Sequence, residues 1–346
     1  MKKRLMAGFL AAVLVMLCTA CGGVSENTEG NTEKETFKIG LVTDVGGVED
    51  QSFNQSAWEG LQRAKEELGV EINYLASYTD ADYAPNIETF IDEEYDLIFC
   101  VGYMLAEATR EAAESYPDQQ FAIVDDTSCA DLDNVACLSF RQEQASYLVG
   151  YVAGMMTEKD KAGLVLGMAN ENMHLFGYGY LAGVLDANPE VEILQANANS
   201  FGDPALGTSL ATNFITNGAD VIFHAAAATG TGVISECAAK GIMAIGVDSD
   251  QNYLAEDTVI TSAMKRVDNA VYATVKNLVE GTLESGVTVY DLSNDGVDIA
   301  PTTTLLPEEV LTAVEEVKGK IVSGEIEVPS DKESFESVYG DVYKLD

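Results

Sequence analysis

Ten short runs of apolar and β-branched residues, arranged as two consecutive sets of five, constrain the fold of this chain more than any other feature. The first set begins near Phe37 (FKIGLVT), Glu71 (EINYLA), Tyr95 (YDLIFCV), Gln120 (QFAIVD) and Asn134 (NVACLS), with helical patterns between the first four. The second begins near Lys161 (KAGLVLG), Val191 (VEILQA), Ala219 (ADVIFHA), Gly241 (GIMAIGV) and Thr258 (TVITSA), again alternating with helices. Short, continuously apolar runs of this kind are the pattern of strands buried on both faces of a parallel sheet. The repetition predicts an α/β protein of two doubly wound, Rossmann-like lobes. Ligands of such sheets sit at the carboxyl ends of the strands, so the cleft between the lobes is where function is expected.

Beyond Thr261 the pattern predicts a helix over Lys265–Gly281, an acidic loop and a helix over Pro307–Gly324, which cross back to complete both lobes. The amino-terminal lobe then takes residues 36–140 with about 263–290, and the carboxy-terminal lobe residues 141–262 with about 291–346. In the first helix Ala57, Leu61, Ala64 and Leu68 recur at spacings of four, three and four, and Gly69 supplies a left-handed stop. Its amino end therefore faces the cleft. Ser52 or Asn54 is expected to cap it, while Gly46 and Gly47 let the preceding loop turn tightly and bring Asp50, Phe53 and Asn54 near a ligand.

The amino terminus sets the compartment. Lys2, Lys3 and Arg4 precede an apolar run from Ala7 to Leu17 that is too short to span a bilayer, which predicts a secretory signal over residues 1–20. It ends in Leu17-Cys18-Thr19-Ala20-Cys21-Gly22-Gly23, where small residues precede a cysteine as in a bacterial lipobox, so Cys21 is the expected lipid anchor. The box departs from the usual pattern in carrying Cys18 where Leu is common. Residues 24–35 (VSENTEGNTEKE) are polar and acidic with no periodic apolar position, and read as a tether.

Loss of the signal leaves 16 Lys+Arg against 57 Asp+Glu, a formal charge near −41 in place of −38. Such a field repels nucleic acid and anionic ligands, and no basic stripe with interleaved aromatics is present. The Cys18–Cys21 pair has the C-x-x-C spacing of redox motifs, but no strand precedes it and Cys18 leaves with the signal. Cys129 and Cys137 are near enough in sequence to form a small disulfide loop. Buried free thiols are the favoured reading for them and for Cys100 and Cys237.

Catalytic signatures are missing. The chain contains no H-E-x-x-H, G-x-S-x-G or G-x-x-x-x-G-K-[ST], and its only histidines are His174 and His224. Gly230-Thr231-Gly232 follows a strand and opens a helix without the third glycine of a dinucleotide turn. It reads either as a close backbone approach with helix N–H groups aimed at the cleft or as a tight turn.

Longer stretches carry a resemblance. TDVGGVEDQSFNQSAWEGL (Thr43–Leu61), FRQEQASYLVGYVAG (Phe140–Gly154), FGYGYLAGV (Phe176–Val184), TGTGVISE (Thr229–Glu236), IGVDSDQ (Ile245–Gln251) and SAMKRVDNAVY (Ser262–Tyr272) resemble the Bmp family of importer-binding lipoproteins, which includes the PnrA-type purine nucleoside receptors. The resemblance spans nearly the whole chain after the tether. It implies a type I periplasmic-binding-protein fold, its two lobes joined by a hinge, with a nucleoside between two aromatic faces and its ribose held by carboxylates and a lysine. Phe53 and Phe176 match the stacking positions, Asp248 the ribose carboxylate and Lys265 the sugar donor. Asn54 and Asp126 are candidates for the purine edge, Asp44 ends a strand that can face the cleft, and Gly230 is included for its backbone.

Asp50 and Asp125 read equally well as solvated loop acids, and Trp58 as packing. Relatives often carry glycines ahead of Thr229 and a Gly-Gly-Met...Pro stretch before Phe176, where this chain has Ala227 and Ala228, then Leu166-Gly167-Met168 and Asn172. The acidic surface also departs from the "basic membrane protein" of the family name.

The resulting expectation is an extracytoplasmic, lipid-anchored, monomeric nucleoside receptor of an ABC importer. It partners with a membrane permease, uses no cofactor or metal, and is not an enzyme. The competing readings are a receptor for a sugar or an autoinducer-like furanose, a cytoplasmic regulator, which the signal segment opposes, and a nucleoside hydrolase. The last would need a compact D-x-D-x-x-x-D-D cluster where this chain has TDVGGVED.

Overall fold

The computed structural model describes residues 36–345; the expected signal, Cys21 and the tether fall outside the described residues. All ten expected strands form: β1 (Lys38–Thr43), β2 (Glu71–Leu75), β3 (Leu97–Val101), β4 (Gln120–Val124), β5 (Val135–Phe140), β6 (Lys161–Leu166), β7 (Glu192–Asn197), β8 (Val221–Ala225), β9 (Met243–Asp248) and β10 (Val259–Lys265). Two more, β11 (Gly286–Tyr290) and β12 (Val297–Ile299), occupy the stretch read as an acidic loop. β11 lies at a sheet edge with exposed valines and β12 has three residues, so neither shows the buried run that marked the others.

The helices are α1 (Phe53–Leu68), α2 (Tyr83–Asp92), α3 (Ala106–Ser115), α4 (Gln142–Met156), α5 (Glu171–Ala187), α6 (Pro204–Thr216), α7 (Ala227–Lys240), α8 (Val267–Glu280), α9 (Glu308–Val322) and α10 (Lys332–Tyr339). α10 was not expected. It is short, and it docks through the fully buried Phe335 against Tyr178 of α5, a contact that local periodicity cannot announce.

The strands form two six-stranded sheets of matching order, β11-β5-β4-β3-β1-β2 and β12-β10-β9-β8-β6-β7. Every pairing is parallel except that of β12 with β10. The correspondence extends to single residues. Phe140-Arg141 leaves β5 as Lys265-Arg266 leaves β10, and both arginines hold similar backbone angles, φ −94°, ψ 56° and φ −79°, ψ 60°. Each pairs through Nε with the acid two residues on, Arg141 with Glu143 and Arg266 with Asp268.

Arg141, Arg266 and the Asp291–Gly296 turn are the three places where the chain passes from one sheet to the other. They are bonded to one another's neighbourhoods: Arg141 N donates to Tyr290 O (2.8 Å), Arg266 N to Gly296 O (2.9 Å) and Leu292 N to Gln144 Oε1 (3.0 Å). Three locally tied crossings are the geometry of a hinge.

Behind the hinge, α4 and α5 pack with backbones in near contact because glycine stands at each crossing point. A β-carbon on Gly150 would lie 2.2 Å from Tyr180 O, on Gly179 2.1 Å from Glu143 O, and on Gly183 2.0 Å from Tyr147 O. This contact fixes α5, whose amino-terminal half reaches the cleft. Gly183→Ala is expected to lower stability by about 1–3 kcal/mol through overpacking. Gly319→Ala, on the exposed face of α9 near its carboxyl end with open space around it, should raise it by roughly 0.5–1 kcal/mol. Chemical denaturation of the two variants checks both signs.

Candidate functional site

β1 leads into α1 through a loop over residues 44–52, which is organised by Asp50, 1 % exposed. Its Oδ1 accepts from Ser52 N (2.9 Å) and Gln55 N (3.1 Å), and its Oδ2 from Asn54 N (2.8 Å) and Asn54 Nδ2 (3.0 Å). Asp50 therefore caps α1, and the expectation that Ser52 or Asn54 does so is corrected. The Ser52 hydroxyl is turned away from the helix and donates to Asp248 at the end of β9, in the other lobe. Gln251 Nε2 donates to Gln51 O (2.8 Å) beside it. These bonds close one side of a slot between the lobes.

The slot is lined from the first lobe by Asp44, Asp50, Phe53, Asn54, Gly102, Tyr103 and Asp125. The second lobe adds Met173, Phe176, Phe201, Ala225, Ala226, Ala227, Val247, Asp248 and Lys265. Counting its mouth it holds about 520 Å³ of space between atoms. On its lining stands Lys265, 1 % exposed, whose ammonium donates to Asp125 across the cleft. The same nitrogen lies 5.0 Å from the ring centroid of Phe53, 5.1 Å from Phe140 and 5.8 Å from Phe176, within the range of cation–π attraction. Asn172 Nδ2 donates to Asp125 O (2.7 Å) and Asn170 Nδ2 to the Tyr103 hydroxyl (3.1 Å), two further links between lobes.

Of the residues singled out in the sequence, Asp44, Phe53, Asn54, Phe176, Asp248 and Lys265 line this one slot. Asp126 and Gly230 do not. The Asp126 carboxylate turns back on its own loop and accepts from Ser128 N (2.7 Å), so Asp125 faces the slot in its place. Gly230 lies inside α7, which starts three residues earlier. Its N–H is bonded to Ala226 O (3.3 Å), and a β-carbon there would fall 1.9 Å from the His224 ring. Its glycine serves close packing of helix on strand. Gly232 does the same against Pro204 O at 1.9 Å.

Asp125 and Asp50 are thus slot residues, not solvated loop acids. Asp125 is legible from the internal repeat: it follows β4 as Asp248 ends β9, and the two share left-handed backbone, φ 66° and 64°, a conformation Asp tolerates better than most side chains. Gly102 follows β3 at φ 111°, and a side chain there would crowd Asp44 Oδ2 at 3.2 Å. Ala227 sits at φ 45°, strained by roughly 1–2 kcal/mol. Trp58 packs on Tyr74, ring centroids 4.9 Å apart.

Four carboxylates and one ammonium meet here. Burial pushes the Asp44 and Asp248 carboxyls up to about 6, against the pull of Gly46 and Asn54 on the first and of Lys265 and Ser52 on the second. Burial also raises Asp50. His224, the other candidate for proton chemistry, is fully buried behind the slot wall and held neutral, with burial pushing it down to about 4. Cys100, Cys129, Cys137 and Cys237 are free and buried. Among the described residues no group of acids, cysteines and histidines is arranged to hold a metal ion.

A family model described as Bmp, ABC transporter substrate-binding protein PnrA-like, matches residues 37–332. The CD4+ T-cell-stimulating antigen of Listeria innocua is 39 % identical, over 95 % of this chain and 99 % of that one. The ABC transporter nucleoside-binding protein BmpA of Lactococcus lactis is 33 % identical, over 95 % and 100 %. The chain belongs to the Bmp family.

Among solved structures, an ABC transporter solute-binding protein from Aeropyrum pernix superposes with a TM-score of 0.79 at 31 % identity, covering 88 % of this chain and 97 % of that one. Bmp proteins are substrate-binding components of ABC transporters, not enzymes, so a small-molecule ligand and a permease partner follow. The type I binding-protein fold expected from the sequence is the one observed.

The raised carboxyls make a signed prediction. An acid whose folded value lies above its unfolded one stabilises below the unfolded value, and that stability is lost as pH rises through the folded value. Asp248→Asn, which suits the left-handed backbone, should therefore melt higher than the parent above pH 6, with the difference shrinking to nothing by about pH 4. Parallel melting curves from pH 4 to 8 check it, and a difference independent of pH would show that Asp248 is not held against its charge.

Proposed function

We propose that this Bmp protein is a nucleoside receptor, lipid-anchored through Cys21 on the outer face of the cytoplasmic membrane. In this reading it is monomeric and delivers a purine nucleoside to its permease by hinge closure. One observation carries the reading: Phe53 and Phe176, from opposite lobes, line the same slot as two strand-end carboxylates and a buried lysine. A flat base between aromatic faces gains roughly 1–3 kcal/mol per stacked contact. Asp248 can accept both vicinal hydroxyls of a ribose, and Lys265 can donate to the sugar. Asp44 and Asn54 then meet the base edge, while Asp126 and Gly230 fall outside the proposed contact set.

Closure follows from the division of these groups. A ligand that touches both lobes stabilises only the conformation in which the lobes meet, so binding and closing are one equilibrium. Nucleosides carry no charge into the acidic slot, whereas a phosphate would meet Asp248, Asp50 and the field of the whole molecule.

Calorimetry and thermal shift with inosine, guanosine, adenosine, cytidine, uridine, ribose and one nucleotide test the proposal. A purine nucleoside at 100 times its Kd should add about 2.7 kcal/mol of stability. Asp248→Ala should weaken it by about 1.5–3 kcal/mol, roughly ten- to a hundredfold in Kd. The nucleotide should bind far more weakly than its nucleoside. Stabilisation by ribose or another free sugar, with silence toward every nucleoside, would replace this reading with that of a sugar receptor.

A further inference from the structure

We infer that the base-facing end of the slot selects an edge carrying adjacent N–H donors, so that 6-oxopurine nucleosides, guanosine foremost, are preferred to adenosine. The inference rests on the nucleoside reading above and narrows it.

Asn54 lines this end of the slot and is 1 % exposed. Its amide nitrogen donates to Asp44 Oδ1 (2.7 Å) and to Asp50 Oδ2 (3.0 Å). An amide has two N–H donors and one carbonyl acceptor, so both donors are taken. The orientation is determined, because the flipped amide would set its oxygen against two carboxylates. What Asn54 has left is Oδ1, which has no hydrogen-bond partner. A buried orphan acceptor of this kind is costly until a donor reaches it.

The neighbouring acids narrow the choice further. Asp50 is filled: its oxygens accept four bonds from the start of α1, so it orients Asn54 without facing a ligand donor of its own. Asp44 is half filled. Oδ1 accepts from Gly46 N (2.9 Å) and Asn54, whereas Oδ2 takes no bond from the described residues and borders Gly102 on the slot lining. This end of the slot therefore offers two acceptors, one of them on a carboxylate. The neutral donor nearby is Tyr103, whose hydroxyl oxygen accepts from Asn170 and keeps its own proton.

Base chemistry decides which ligand fits. Guanine presents N1–H and the N2 amino group side by side, with the O6 acceptor adjacent, a donor-donor-acceptor edge that complements two acceptors and one hydroxyl. Hypoxanthine keeps N1–H and O6 but lacks the amino group. Adenine sets the N1 lone pair where those acceptors require a donor, and two acceptors facing each other in a dry site repel.

Titration calorimetry of the full chain with guanosine, inosine, adenosine and 1-methylguanosine tests this near pH 7.5. Guanosine should bind at least about tenfold more tightly than adenosine, with inosine between, and blocking N1 in 1-methylguanosine should remove about tenfold or more of the affinity. Asp44→Asn keeps the acceptor toward Gly46 and Asn54 and turns the slot-facing oxygen into an N–H donor. It should narrow or reverse the guanosine-to-adenosine ratio, whereas a merely structural role for Asp44 would weaken both ligands equally. Adenosine binding as tightly as guanosine, or 1-methylguanosine as tightly as guanosine, overturns the inference and leaves the nucleoside reading standing. Failure of every nucleoside to bind overturns both.

Discussion

The structure turns on the buried ammonium of Lys265. A cation taken out of water costs several kcal/mol unless it is paired and surrounded by favourable groups, and here the pairing is made by the opposite lobe. Asp125 accepts its hydrogen bond from across the cleft, Asp248 lowers its energy from its own sheet, and the faces of Phe53, Phe140 and Phe176 surround it. The lysine is solvated by protein only when the lobes are together. The geometry of closure and the electrostatics of the site are consequently one problem.

The local balance is unequal, since Asp44, Asp50, Asp125 and Asp248 face a single ammonium. Asp50 is satisfied by the backbone of α1, but Asp44 and Asp248 remain raised toward neutrality, and the carbonyl of Asn54 is unpartnered. The slot has more acceptors than donors. A neutral molecule rich in O–H and N–H groups corrects that imbalance, and an anion worsens it. This complementarity in polarity, together with the flanking rings, would suit the slot of a strongly acidic protein to an uncharged ligand such as the nucleoside proposed above.

Much of the fold was legible because it is written twice. Ten buried strands appear as continuous apolar runs, and the two sheets repeat one order down to the hinge pairs Arg141–Glu143 and Arg266–Asp268. The elements missed, β11, β12 and α10, owe their conformation to edge pairing and docking more than to their own periodicity. At the site, Phe53, Phe176, Asp248 and Lys265 could be nominated only by family resemblance, since each alone reads as core, turn or surface. Asp125 and Asp126 are adjacent acids whose sequence context is nearly the same. Backbone angles separate them: left-handed geometry at Asp125 aims its side chain into the slot, while Asp126 closes a local turn. Gly230 was misread because a glycine before a helix suggests a ligand approach as readily as it suggests close packing against His224.

A crystal structure of the chain with guanosine bound tests the site and its closure together. The expected result is the base between Phe53 and Phe176, the vicinal ribose hydroxyls on Asp248, the N1–H and amino group on Asp44 and Asn54, and the lobes in contact through Lys265 and Asp125. A nucleoside held by one lobe alone, or bound away from this slot, would contradict it.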